Sequence, residues 1–263
     1  MSILEQIIAD KKLEVSQRKS VCSLEDLQRM PSISRDIIST KASLLDPESS
    51  GIIAEFKRKS PSKGYFNAEA KIVDICFGYQ KAGAAVASVL TDQKYFGGSL
   101  EDLIQAREVL HIPILRKDFV IDPYQIYESR AFGADLILLI AAALSPLEVR
   151  DLAALAKNIG LEVLLEVHSL EELKTHACEY VDLLGVNNRN LKTFNTDLSL
   201  SMNLISNIPD TFLAVSESGL DNPDIVKNLR ALGYKAFLIG ECFMKTADPA
   251  QACADFIRDV NED

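Results

Sequence analysis

The chain has 263 residues, 48% hydrophobic and 25% charged, with a formal net charge of −10. That balance is ordinary for a soluble globular protein, and the negative sum argues against a protein that grips nucleic acid by its backbone. The five cysteines (Cys22, Cys76, Cys178, Cys242 and Cys253) are scattered without CxxC spacing, which argues against a disulfide framework or a thiolate zinc site and suits a reducing compartment.

The opening segment MSILEQIIADKKLEV carries acids and no continuous apolar core, so no signal peptide is expected. The apolar run at 136–144 is too short to span a bilayer; a cytoplasmic protein with no membrane partner is the expectation. Ile3, Leu4, Ile7, Ile8, Lys11, Leu13 and Val15 sketch a helical stripe. Ser23, with Asp26 three residues on, opens a second short helix over 23–30, and Pro31 stops it. Residues 1–50 therefore read as a helical extension that packs on something larger. They are too few for a domain of their own.

From Gly51 a repeat sets in. A helical segment ends in glycine and an apolar strand follows at once, as in KAGAAVASVL, AFGADLILLI, NIGLEVLLEV and ALGYKAFLIG. Glycine there caps the helix, because it takes the left-handed conformation without a Cβ penalty. Strands are predicted at 52–57, 85–90, 112–117, 136–140, 162–167, 183–187, 212–217 and 236–239, each followed by a helical stretch. Eight Val/Ile/Leu-rich strands alternating with helices fit an α/β fold, a closed (β/α)8 TIM barrel over 51–263 with the N-terminal helical extension; together they make one structural domain. No GxGxxG or Walker motif is present, which weakens a nucleotide-binding reading.

Polar residues cluster at the downstream strand ends, where such a barrel gathers its active site. Side chains at i and i+2 share a face, so Glu55 and Lys57 point one way, as do Asn187 and Arg189. Glu55 and Lys57 also suit a structural ion pair; Lys117 and Glu166 make packing a poorer explanation, because unpaired buried charge is costly. Lys117 suits a proton donor to a carbonyl, a Schiff base or an anion contact. Glu166 suits a general acid or base. His168 is assigned to a loop, and His111 and His176 to structural or solvated positions. Three histidines without HxH or HExxH spacing argue against a metal centre. SESGL at 216–220 and GECFM at 240–244 put small residues after strands seven and eight, where barrels commonly bind phosphate. The Ser-, Lys- and Gly-rich stretch 59–67 after strand one suits a mobile lid.

In order, IIAEFKRKSPSKG, SVLTDQKYFGGS, ILRKDFVID, LLEVH, VNNRNL, SESGL and LIGECFM resemble the indole-3-glycerol-phosphate synthase family. The likeness covers nearly the whole chain. It implies a (β/α)8 enzyme without metal or organic cofactor. The implied reaction closes the ring of 1-(o-carboxyphenylamino)-1-deoxyribulose 5-phosphate, with loss of CO₂ and water, in tryptophan biosynthesis. By family position, Lys117 is the cation on the carbonyl oxygen. Glu166, Lys57 and Glu55 share the acid and base work, and Glu217 is a supporting carboxylate. Lys57, Asn187 and Arg189 surround the substrate's carboxylate and hydroxyls. Ser60, Gly219, Gly240 and the backbone at Glu241, with Ser218 beside them, match the phosphate site. Phe96, Phe119, Pro61, Leu138 and Ile239 match an apolar sleeve for the aromatic ring. In the family the N-terminal extension covers part of the barrel mouth. Position 241 is Glu where some relatives carry Ser, which is acceptable if its carboxylate turns away from the phosphate. With Asp263 the last residue, no room is left for a second barrel, so a monofunctional enzyme, favoured as a monomer, is expected. Two rivals are another sugar-phosphate barrel, such as a phosphoribosylanthranilate isomerase or a ribulose-phosphate epimerase, and a non-catalytic phosphate-binding barrel. The isomerase and the epimerase would want a Cys/Asp pair or metal-binding His and Asp at the strand ends.

Overall fold

The apolar runs that follow each glycine become strands in the structure, a computed structural model that describes residues 2–191 and 193–262. The strands are β1 (Ile52–Phe56), β2 (Val86–Leu90), β3 (Ile114–Lys117), β4 (Leu136–Ile140), β5 (Glu162–Val167), β6 (Leu183–Asn187), β7 (Leu213–Glu217) and β8 (Ala236–Ile239). Each pairs in parallel with the next, and β8 returns to β1 to close the barrel. Gly83, Gly133, Gly160 and Gly233 all take positive φ between helix and strand. β3 starts two residues later than the sequence pattern suggested, just after Pro113, which has no N–H to give a ladder. β1 stops at Phe56, so Lys57 lies just past the ladder.

Strand parity divides the apolar residues into two cores. Ile53, Val86, Leu115, Leu136, Leu138, Leu164, Leu183, Val215 and Leu238 fill the barrel interior, and Leu44 packs with this set. Ile52, Ala54, Phe56, Ile137, Leu139, Val163 and Leu165 alternate with them and pack outward under the helices. Interior layers of branched side chains make the barrel solid, so chemistry is confined to its mouth.

The N-terminal helix runs over Ile3–Val21, further than its apolar stripe suggested. Its buried line is Ile7, Lys11 and Val15. Leu13, expected in the stripe, is 65% exposed, because a 100° step per residue carries it off that line. Lys11 is almost fully buried. Its ammonium lies 2.7 Å from Glu14, 2.9 Å from Asp92 and 2.9 Å from Asp118. Arg18 adds a second bolt, 3.0 Å from Glu128, which in turn lies 2.8 Å from the buried Arg116 of β3. Removing one partner from such a buried group typically costs about 3–5 kcal/mol, so the helix cannot leave without stranding charge beside β3.

The helix Leu24–Arg29 carries the expected Ser23/Asp26 capping box. A further short helix, Thr40–Leu45, escapes the sequence reading. It is docked by Glu162, which accepts from the Thr40 N–H at 2.6 Å and from the Ser39 hydroxyl at 2.7 Å, a carboxylate at the positive end of a helix. Among the described residues no helix is long and apolar enough to cross a membrane.

Candidate active site

All the strand-end candidates reach one place. A cavity of about 470 Å³ opens at the C-terminal end of the strands. It is lined by Glu55, Lys57, Ser60, Pro61, Phe96, Lys117, Phe119, Leu138, Glu166, Asn187, Arg189, Glu217, Ser218, Gly219, Ile239, Gly240 and Glu241. Each candidate from the sequence is therefore in the cavity wall. Among the lining residues that the pattern missed are Ile3, Leu4 and Ile7, which bring the N-terminal helix into that wall, and Asp92 and Asp118, which tie it down.

The floor is a cluster of charge built by parity. On β3, Arg116 points outward to Asp118 (3.0 Å) and Glu128, while Lys117 points into the barrel. Lys117 Nζ donates to Glu217 Oε2 at 2.5 Å and to Glu166 Oε2 at 3.2 Å. β3 and β7 lie four strands apart in a barrel of eight, so the Lys117–Glu217 contact spans it. Asn187 Nδ2 donates to the other oxygen of Glu166 at 3.0 Å, and Asn187 Oδ1 accepts from the Arg189 N–H at 3.0 Å. Lys57 donates to Glu55. Two glycines make room for these acids. A Cβ on Gly185 would stand 2.3 Å from Glu217 Oε1, and one on Gly240 would stand 2.5 Å from Glu55 Oε1. Any larger residue at either position would push a carboxylate from its place.

Crowding sets the protonation pattern. Burial works against the Lys117 ammonium, but Glu217, Glu166 and Glu55 outweigh it and raise the pKa, so the resting site holds a cation. Burial works against ionised Glu166 too, yet Lys117, His168 and the Asn187 hydrogen bond hold its pKa below the ordinary value. Glu217 goes the other way: burial, with the like charges of Glu166 and Glu55, overcomes Lys117 and pushes it up to about 7. Two carboxylates against one ammonium therefore divide, one ionised and one near its proton.

A stability test follows from Glu217. Its ordinary pKa is 4.5 and its folded pKa is about 7. Between those values the native state holds more proton than the unfolded state, so this group's contribution to stability falls as pH rises through the window. Glu217→Gln removes that linkage. The variant's stability relative to wild type should therefore climb from about pH 5 to about pH 8. Urea unfolding at both pH values reads this directly; a difference that does not change with pH would refute the assignment.

The rim carries the other half of the site. Ser218 (φ 66°) and Gly219 (φ 77°) take successive left-handed conformations after β7. For Ser218 that is a strained choice, of the kind that collects at functional loops. Gly240 follows β8 and precedes the short helix Glu241–Met244. The stretch expected to form a lid contains a small antiparallel hairpin, Lys59–Ser60 with Gly64–Tyr65. From its tip Lys63 donates to Glu241, whose other oxygen lies 3.4 Å from Arg189. The Glu241 carboxylate is thus engaged by two cations. Phe96 and Phe119 face each other with ring centroids 6.2 Å apart.

His168 lies just past β5, in a loop as expected, but it is not idle. Its Nε2 is 3.4 Å from Glu166 Oε1 and its Nδ1 is 3.6 Å from Glu172 Oε2. It does not line the cavity and sits behind Glu166.

Known proteins agree with this architecture. The sequence pattern of the family described as Indole-3-glycerol phosphate synthase matches residues 4–256. A curated indole-3-glycerol phosphate synthase from Bacteroides thetaiotaomicron is 47% identical over 258 residues, covering 98% of each chain. One from Koribacter versatilis is 42% identical over 258 residues, covering 97% of this chain and 99% of the relative. In structure, the chain is similar to 3-hexulose-6-phosphate synthase from Salmonella typhimurium, with a TM-score of 0.63 and 13% identity over 80% of this chain and 97% of that one. That distant likeness speaks for the barrel fold alone.

Proposed function

This chain belongs to the indole-3-glycerol phosphate synthase family, and we propose that the cavity residues divide that family's ring closure among them as follows. The reaction is a carboxy-lyase step of tryptophan biosynthesis. It converts 1-(o-carboxyphenylamino)-1-deoxyribulose 5-phosphate to indole-3-glycerol phosphate, carbon dioxide and water. The observation that carries the reading is one ammonium, Lys117, held between Glu166 and Glu217 on the floor of a cavity with an apolar wall.

The ring carbon that bears the carboxylate attacks the ribulose carbonyl. Charge develops on the carbonyl oxygen, and Lys117 meets it with a proton in a site pre-organised for that charge. Loss of carbon dioxide returns the electron pair to the ring. Dehydration then moves a proton from the methylene beside nitrogen to the departing hydroxyl. Glu166, Glu55 and Lys57 are the acids and bases in reach, and the Glu55–Lys57 contact lets a proton pass between those two. Asn187 orients Glu166. Lys57 and Arg189 are the cations for the substrate's carboxylate and hydroxyls. The loops at Ser218–Gly219 and Gly240–Glu241, with Ser60, suit the phosphate. Engagement of Glu241 by Lys63 and Arg189 supports the backbone rather than the side chain as its contribution there. Phe96, Phe119, Pro61, Leu138 and Ile239 suit the aromatic ring, with Ile3, Leu4 and Ile7 closing over it. The free cysteines support a cytoplasmic setting.

The test is turnover. Purified protein given this substrate should generate indole fluorescence, which neither a sugar-phosphate isomerase nor a passive binding barrel would produce.

A further inference from the structure

Each turnover of the proposed reaction consumes one proton. The substrate's carboxylate leaves as neutral carbon dioxide, and its carbonyl oxygen leaves as water after gaining two protons. One of those comes from the substrate's own methylene. The other is the proton given by Lys117, and each turnover must replace it from solvent. Lys117 lies on the cavity floor, and its exposed face, 13% of the side chain, is turned to the space that the substrate fills.

Behind Glu166 stands a file of groups that leads outward. Lys117 Nζ is 3.2 Å from Glu166 Oε2, and Glu166 Oε1 is 3.4 Å from His168 Nε2. On its far side His168 Nδ1 is 3.6 Å from Glu172 Oε2, and Glu172 also accepts from the His168 backbone N–H at 2.6 Å. Side-chain exposure rises along the file, from 4% at Glu166 to 13% at His168 and 24% at Glu172. Both imidazole nitrogens are buried, and their contacts with Glu166 and Glu172 are longer than close hydrogen bonds among the described residues. We propose that His168 is a positioning residue that acts through Glu166: its imidazolium delivers the replacement proton to Glu166, which passes it to the Lys117 amine, while Glu172 holds the ring in place and in its charged form. The bookkeeping closes. The Nε2–H bond breaks, the Glu166 carboxyl forms transiently and the Lys117 ammonium is restored; the neutral ring, its remaining proton on Nδ1, then turns so that the bare nitrogen meets Glu172 and regains a proton from solvent on that side.

The charges around the ring favour this. Burial alone would lower the imidazole pKa, but Glu172 and Glu166, with Glu217 beyond them, outweigh it and raise it. His176 also acts on Glu172, and Lys117 stands behind Glu166.

The proposal rests on the roles given above to Lys117 and Glu166, and the experiment separates the two. We expect kcat of wild-type enzyme to fall as pH rises through the His168 pKa. In Glu172→Gln, which keeps an acceptor for the backbone N–H, that basic limb should move down by about one pH unit. In His168→Asn, kcat should drop by at least about tenfold, with KM within about twofold and the limb gone. A limb that stays put in both variants, with wild-type kcat, would overturn the relay while leaving the cavity chemistry intact. Should His168→Asn fail to fold, the Glu172→Gln limb decides alone. No turnover by the wild type would instead overturn the reading beneath it.

Discussion

Lys117→Ala is expected to lower kcat by about a thousandfold, the combined scale of losing a general acid and a charge-stabilising donor. No other cation on the floor can take its place. Its neighbours there, Glu166 and Glu217, are both acids, and Lys57 is engaged by Glu55 at the mouth end of β1. Without the ammonium, two buried carboxylates would face each other and share a proton. The barrel should survive, because the interior layers below Lys117 are apolar and complete. Circular dichroism and an unchanged pattern of unfolding would separate lost chemistry from lost structure. A variant that keeps most of the wild-type turnover would remove Lys117 from the mechanism.

Glu166→Gln is the second large effect. Glutamine keeps the volume and can still accept from Asn187, so the cavity shape is preserved. What disappears is the negative charge 3.2 Å from Lys117, and with it a group able to gain and lose a proton. We expect kcat to fall by about a hundredfold or more, with KM changed by less than about threefold, the signature of a group that acts mainly in the transition state. The anionic ends of the substrate are assigned to other residues, so substrate affinity has little reason to change. A loss carried wholly by KM, with kcat intact, would make Glu166 a binding group instead.

The barrel and its mouth were largely legible in the sequence because both follow from short-range rules. Glycine before four of the apolar runs marked helix-to-strand joints, and a period of two marked which side chains face inward. Lys117, Glu166 and Glu217 each sit at the last inward position or next to it, which is why three separate strands delivered them to one floor. Long-range partners were not legible. Arg116 stands beside Lys117 in the same ILRK run, with Asp118 two residues on, and the contacts with Thr91 and Glu128, brought up by the fold, show that it is a buried strut. Lys11 did carry a signal: it lies four residues from both Ile7 and Val15, on the helix face that proved buried. Its three carboxylates come from distant elements or from the adjacent helical turn, so its pairing could not be read. His168 reads correctly as a loop residue, but its link to Glu172 runs from a strand end into the following helix, across a turn whose geometry the sequence does not set. Thr40–Leu45 is too short to show a helical period.

The most direct measurement is the carbon dioxide released against the indole product formed when the purified protein meets its carboxyphenylamino-deoxyribulose phosphate substrate. Equal amounts from the wild type, and neither from Lys117→Ala over the same time, is the predicted result. Carbon dioxide without an indole, or equal yields after Lys117 is lost, would contradict ring closure driven by that ammonium.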